Sequence, residues 1–127
     1  MTVAEVNVVA QAFHEGVANR DARALSALYH EDARFLPPNL EPAEGTDAIR
    51  GAMQMLLDIG ASALDVEPLD VRESGDLTAE YGRYALTFDT PDGSMTDVGK
   101  YVVVHETRDG ETKILLDCFN SNLPPAA

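Results

Sequence analysis

The hydrophobic period of the chain changes near residue 60, and this change constrains the fold more than any other feature. Before it, apolar residues recur at helical spacing; after it they alternate, as on one face of a strand. Helices come first and strands follow. That order predicts an α+β class, with the helices segregated to one face of an antiparallel sheet that curves around them as a cone.

Thr2 and Glu5 form a T-x-x-E capping box, and Val6, Val9, Ala10, Phe13 and Val17 give the stripe of a first helix from about Thr2 to Ala18. Asp21 is an N-cap for a short second helix carrying Leu25, Leu28 and Tyr29, which ends before the polar cluster His30-Glu31-Asp32. Ala33 to Leu36 reads as a short strand stopped by Pro37 and Pro38, followed by a loop from Asn39 to Gly45. Thr46 caps a third helix with Ile49, Met53, Leu56 and Leu57 on one side and Gly60 at its end.

Leu64 to Val71 alternates apolar and acidic residues. Thr90-Pro91-Asp92-Gly93 and Arg108-Asp109-Gly110-Glu111 are hairpin signals that divide the remainder into strands near 77–89, 95–107 and 112–121. No linker, repeat or low-complexity tract interrupts the chain, so residues 1–127 are expected to form one domain, with Leu123 to Ala127 as a frayed tail. At 127 residues such a domain buries roughly two thirds of its unfolded surface.

Charge narrows the function classes. Twenty-two acidic and nine basic side chains give a formal charge of −13, a field that repels phosphate backbones and anionic head groups. Nucleic acid and membrane are therefore not expected as partners. Met1-Thr2-Val3-Ala4-Glu5 lacks a basic stretch before an apolar run, and no segment approaches the roughly 18 apolar residues of a membrane span, so the expected location is cytoplasmic. The single Cys118 lies in an apolar run and reads as a small core residue. His14, His30 and His105 show no ligand spacing, and no phosphate-cradling loop or serine elbow appears, so neither metal nor cofactor is expected.

Three segments carry a resemblance: Ala24-Leu25-Ser26-Ala27-Leu28-Tyr29-His30-Glu31-Asp32-Ala33, Gly45-Thr46-Asp47-Ala48-Ile49-Arg50 and Gly99-Lys100-Tyr101-Val102-Val103-Val104. With the element order they resemble the nuclear transport factor 2-like superfamily, of cystatin-like fold, over nearly the whole chain. The likeness is greatest to its SnoaL-like and ketosteroid-isomerase-like branch, and Asp117 to Pro124 is similar to its small SgcJ/EcaC-type bacterial members. The ketosteroid isomerase set implied by that resemblance is missing: Phe13 stands where the family has its tyrosine, Pro37 where it has its base, and Gly99 where it has its second donor.

The resemblance implies the set of SnoaL-type cyclases, an acid/base carboxylate and a histidine reaching the pocket from the later strands, and Asp117 is the best match. Within Ile114-Leu115-Leu116-Asp117-Cys118-Phe119, the parity Leu115, Asp117, Phe119 turns the carboxylate into the interior, where desolvation raises its pKa. Alternatively it pairs with Arg83 or Lys100, or faces a dimer interface. Tyr84 and Tyr101 are candidate hydrogen-bond donors or plain strand aromatics, and Asn120 either orients a ligand carbonyl or satisfies backbone.

The leading expectation is a pocket for a small hydrophobic molecule, lined by Phe13, Phe35, Met53, Leu57, Tyr84, Tyr101, Val103 and Phe119, with isomerase-, lyase- or cyclase-type acid/base chemistry beside a carbonyl. The competing one is a non-catalytic module. In either case the resemblance implies a homodimer through the sheet face not covered by helices, which would otherwise leave an apolar patch in water. An open cavity of roughly a few hundred Å³ holding Asp117 favours the ligand site, and a packed interior favours the module.

Overall fold

The computed structural model describes residues 1–124; the part of the expected tail from Pro125 to Ala127 lies outside them. Helix α1 spans Val3–Ala18. Its capping box is closed, with Glu5 N–H donating to Thr2 Oγ1 and Thr2 N–H to Glu5 Oε1, both at 3.1 Å. Val6, Ala10 and Val17 are buried along its inner stripe.

Asp21 Oδ1 accepts from Ala24 N–H at 3.0 Å and starts α2, Ala22–Ser26. This helix is shorter than its apolar pattern predicts. Tyr29 instead opens strand β1, Tyr29–Leu36, because pairing with the last strand of the sheet replaces another helical turn: Ile114 N–H donates to Leu28 O at 3.0 Å. The cluster read as a helix end is consequently part of β1. His30 is buried, its Nε2 2.6 Å from Glu106 O, and Asp32 faces outward to grip Arg108 at 2.8 and 3.1 Å.

The expected loop contains a two-residue strand β2, Ala43–Glu44, paired with Arg34 and Phe35. Gly45, with φ 87°, takes the N-cap position of α3, Thr46–Asp58, and Thr46 becomes its first helical residue. The buried stripe of α3 is Ile49, Met53 and Leu57.

Four long strands follow: β3 Ala61–Ser74, β4 Leu77–Thr90, β5 Gly93–Arg108 and β6 Glu111–Ser121. They form the antiparallel meander, with Asp109 and Gly110 both at positive φ in the β5–β6 turn, where two left-handed residues match the twist of the flanking strands. As an edge strand β3 pairs on one side only and so tolerates Pro68, next to which its register shifts.

The six strands make one curved, unclosed sheet in the order β2-β1-β6-β5-β4-β3. The sheet is not wholly antiparallel: β1 lies parallel to β6, because α3 and the first three strands of the meander intervene before the chain returns beside it. Alternation along β6 sends Asp117 inward and Cys118 outward, so Cys118 is exposed and not a core residue. Among the described residues no helix is long and apolar enough to cross a membrane.

Two glycines shape the concave face. Gly82 on β4 pairs with Tyr101 on β5, and Gly99 on β5 pairs with Tyr84 on β4. A Cβ at Gly82 would collide with the Tyr101 ring and hydroxyl, and one at Gly99 with the Tyr84 ring. Each tyrosine therefore lies flat over a glycine, leaving the space above it open. Gly82→Ala is expected to lower stability by about 1–3 kcal/mol through overpacking against Tyr101 and the Glu67 carbonyl, measured by urea unfolding; an unchanged midpoint would mean that both give way without cost.

Candidate functional site

Between α1, α3 and the concave sheet face lies a cavity of about 100 Å³. The helices bring only apolar side chains to it, among them Phe13, Met53 and Leu57. From the sheet come Phe35, Tyr84, Tyr101, Val103, Asp117 and Phe119. The volume is smaller than a few hundred Å³ because a chain of aromatic contacts fills one wall: Phe13 to Tyr29, Tyr29 to Phe35, Phe35 to Phe119 and Phe119 to Tyr84, with ring centres 5.4 to 6.3 Å apart. Asn120 does not line the cavity; it is exposed on the opposite face of β6, as alternation after Phe119 requires.

The parity inferred for β6 holds for Asp117 and Phe119 but not for Leu115. A register shift opposite Val104 and His105 inserts one residue into β6, so that Ile114 lines the cavity and Leu115 does not.

Strand register assembles the polar end. Glu80, Val103, Asp117 and Phe35 lie side by side on β4, β5, β6 and β1, and His105 follows two residues beyond Val103 on the same face. Tyr29 Oη donates to Asp117 Oδ2 at 2.6 Å. Tyr101 Oη donates to Glu80 Oε2, and His105 Nε2 lies 2.7 Å from Glu80 Oε1. All three ionisable groups are desolvated: Glu80 is 5%, His105 1% and Asp117 8% exposed. Neither Arg83, which binds Glu67, nor Lys100, which donates to Ser121 O, reaches Asp117.

Burial pushes the Asp117 carboxyl up to about 6, against the pull of the Tyr29 hydrogen bond. The Tyr29 and Tyr101 hydroxyls are raised well above the ordinary range, first by burial and then by the carboxylates that they serve. Tyr84 is raised as well, but its hydroxyl turns away from this cluster and donates to Asp97 Oδ2 at 3.0 Å, whose other oxygen takes Ser121 Oγ at 2.5 Å.

Tyr29, Glu80 and His105 are site residues that the sequence reading missed. The period of two carried the signal for two of them: stepping back four from Tyr84 gives Glu80, and stepping on two from Val103 gives His105. Tyr29 was hidden by its place in an apparently helical stripe. His14 lies elsewhere, its Nδ1 3.0 Å from Leu64 O between α1 and β3. Among the described residues no group of three or more His, Cys, Asp or Glu side chains is placed to hold a metal ion.

Residues 10–114 match the SnoaL-like domain. The chain belongs to the SnoaL-like family. Its fold is nuclear transport factor 2-like, as solved structures bear out. A ketosteroid isomerase-like protein from Erwinia carotovora atroseptica aligns with TM-score 0.83 and 16% identity over 96% of this chain and 97% of that one. A nuclear transport factor 2-like superfamily protein from Salmonella enterica serovar Typhimurium gives 0.80 and 11% over 97% and 92%. Hexachlorocyclohexane dehydrochlorinase LinA-type3 from Novosphingobium barchaimii gives 0.77 and 17% over 94% and 86%. At these identities the likeness is one of fold. No curated protein matches the sequence.

The raised carboxyl of this SnoaL-like chain has a consequence for stability. Asp117 binds its proton more tightly folded, at about 6, than unfolded, at 3.8. Its contribution is therefore fully present below about pH 3.8 and is lost as pH rises through about 6, at a cost of about 3 kcal/mol. Asp117→Asn is expected to remove that loss and to be the more stable protein at pH 7, as read from urea unfolding between pH 4.5 and 8; an unchanged slope would assign the loss to other groups.

Proposed function

We propose that this SnoaL-like chain binds a small, mostly apolar molecule in the cavity and moves a proton on it beside a carbonyl, with Asp117 as acid/base. The observation that carries this reading is the desolvated Asp117 carboxyl, raised to about 6, at the one polar end of an otherwise apolar cavity. A group that changes protonation near working pH can give a proton to ligand oxygen or take one back. Tyr29 anchors one carboxyl oxygen and leaves the other available.

The ligand is the size of a single ring. Apolar cavities of roughly 150 Å³ take up benzene, and this one is of that order. The name of one structural relative, ketosteroid isomerase-like, fits a reaction of this class, and that of another, a hexachlorocyclohexane dehydrochlorinase, shares with it only an apolar ring as substrate. A thermal-shift screen of small hydrophobic carbonyl compounds is expected to yield ligands that raise Tm, since a ligand bound only by the native state stabilises it. On a substrate found this way, Asp117→Asn is expected to lower kcat by about 10²- to 10⁴-fold; undiminished turnover would remove Asp117 from the reaction.

A second proposal concerns the outer sheet face. Tyr81 and Val102, paired across β4 and β5, are each 51% exposed, and Cys118, paired with Val102 on β6, is exposed beside them. Apolar side chains grouped on an uncovered sheet suit a homodimer. Light scattering is expected to give about twice the 13.7 kDa chain mass, and Val102→Glu to return a monomer; a single-chain mass for the unaltered protein would refute the dimer.

A further inference from the structure

The free oxygen of Asp117 decides what polar group the cavity can hold. Tyr29 donates to Oδ2, and no hydrogen bond reaches Oδ1 among the described residues. Among those residues no fully buried side-chain oxygen lacks a partner, so Oδ1 opens on to the hollow that Asp117 lines, although the residue as a whole is only 8% exposed. An ionised carboxyl only accepts, and an unmet oxygen calls for a donor. The side chains around it supply none. The hydroxyl hydrogens of Tyr29, Tyr101 and Tyr84 are taken by Asp117 Oδ2, Glu80 and Asp97, His105 meets Glu80, and neither lysine nor arginine lines the cavity.

The wall favours a cationic donor over a neutral one. Four phenylalanines and four tyrosines are the chain's aromatic side chains, and six of these eight line the cavity: Phe13, Tyr29, Phe35, Tyr84, Tyr101 and Phe119. Ring faces attract a desolvated cation, and each phenol oxygen keeps a lone pair for an N–H.

We propose that the cavity binds ring-sized apolar amines in their ammonium form, with the nitrogen on Asp117 Oδ1 and the hydrocarbon ring among the aromatic side chains. This rests on the ligand site of the reading above but not on its reaction, because an ammonium on Asp117 occupies the acid/base and shuts out a carbonyl compound. A charge-assisted N–H···O bond in a desolvated site is stronger than a neutral one and offsets the cost of taking the ammonium from water. An anionic ligand meets the reverse, two acidic side chains with no lysine or arginine beside them.

The titratable groups facing Asp117 are Tyr29 from β1, Glu80 and Tyr84 from β4, and Tyr101 and His105 from β5; α1, α2, α3 and β3 bring only apolar side chains. The Asp117 carboxyl, pushed up to about 6 by burial, must be ionised to hold the cation. Affinity is therefore weak below that pH, rises through it, and stays level until the amine loses its own proton near about pH 10.

Isothermal titration calorimetry with the full chain tests this, using cyclopentylamine, cyclopentanol and cyclopentanecarboxylate as cation, neutral donor and anion on a ring suited to a cavity of about 100 Å³. At about pH 8 the amine is expected to bind at least about tenfold more tightly than the alcohol, and the anion not at all. At about pH 5 the amine is expected to lose about tenfold while the alcohol keeps its affinity. Asp117→Asn is expected to abolish the preference for the amine, with bound alcohol showing that the cavity is intact. Raising salt to about 0.5 M is expected to change the amine's affinity by less than about twofold, since the pair is buried; cations collected on the acidic exterior would be released. Equal affinities for amine and alcohol, an amine held as tightly by Asp117→Asn, or binding lost in salt would each overturn the proposal. Should Asp117→Asn fail to fold, an amine affinity that does not change between about pH 5 and 8 in the unaltered protein would overturn it. Alcohol bound without the amine refutes the ammonium site and leaves the ligand cavity standing; if neither binds, both fall.

Discussion

Two acidic side chains, Glu80 and Asp117, sit on the concave side of the sheet, where no lysine or arginine among the described residues lines the cavity with them. The polar arrangement of the interior follows from satisfying them. Each takes a tyrosine hydroxyl, Tyr101 for one and Tyr29 for the other, and Glu80 takes an imidazole as well. These partners come from β1 and β5, so the charge cluster ties the crossover strand to the meander. A buried acid lacking such donors would cost several kcal/mol, and the register of three strand pairs provides them.

The cavity survives beside this cluster because the sheet was relieved of bulk where it bends. Gly82 and Gly99 let the facing tyrosine rings lie down, and the bulge in β6 re-aims Ile114 and Asp117 at the same hollow. Helices α1 and α3 then close the other side with apolar side chains only. The cavity lining is apolar at one end and ionisable at the other, and burial there gives Asp117 its raised pKa.

Parts of this were legible in the sequence because their causes are local. The Thr2–Glu5 capping box, the stripes of α1 and α3 and the Asp109-Gly110 turn depend on residues a few positions apart. The same holds for most of the cavity wall, where strand alternation from Tyr84, Tyr101 and Phe119 assigns a face to each residue. Alternation extended a little further would have reached Glu80 and His105. The same alternation turns Asn120 outward, away from the ligand role that was one of the two offered for it.

By itself the sequence determined the class and order of elements and the family, because periodicity and short-range capping act along the chain. Only the tertiary structure decided that Tyr29 leaves its helix for β1, that Ile114 displaces Leu115, and that Tyr84 bonds to Asp97 while Tyr101 bonds to Glu80. Those outcomes arise between segments tens of residues apart. A pairing partner outbids local propensity, a single inserted residue inverts strand parity, and no pattern read along one segment contains the position of the other.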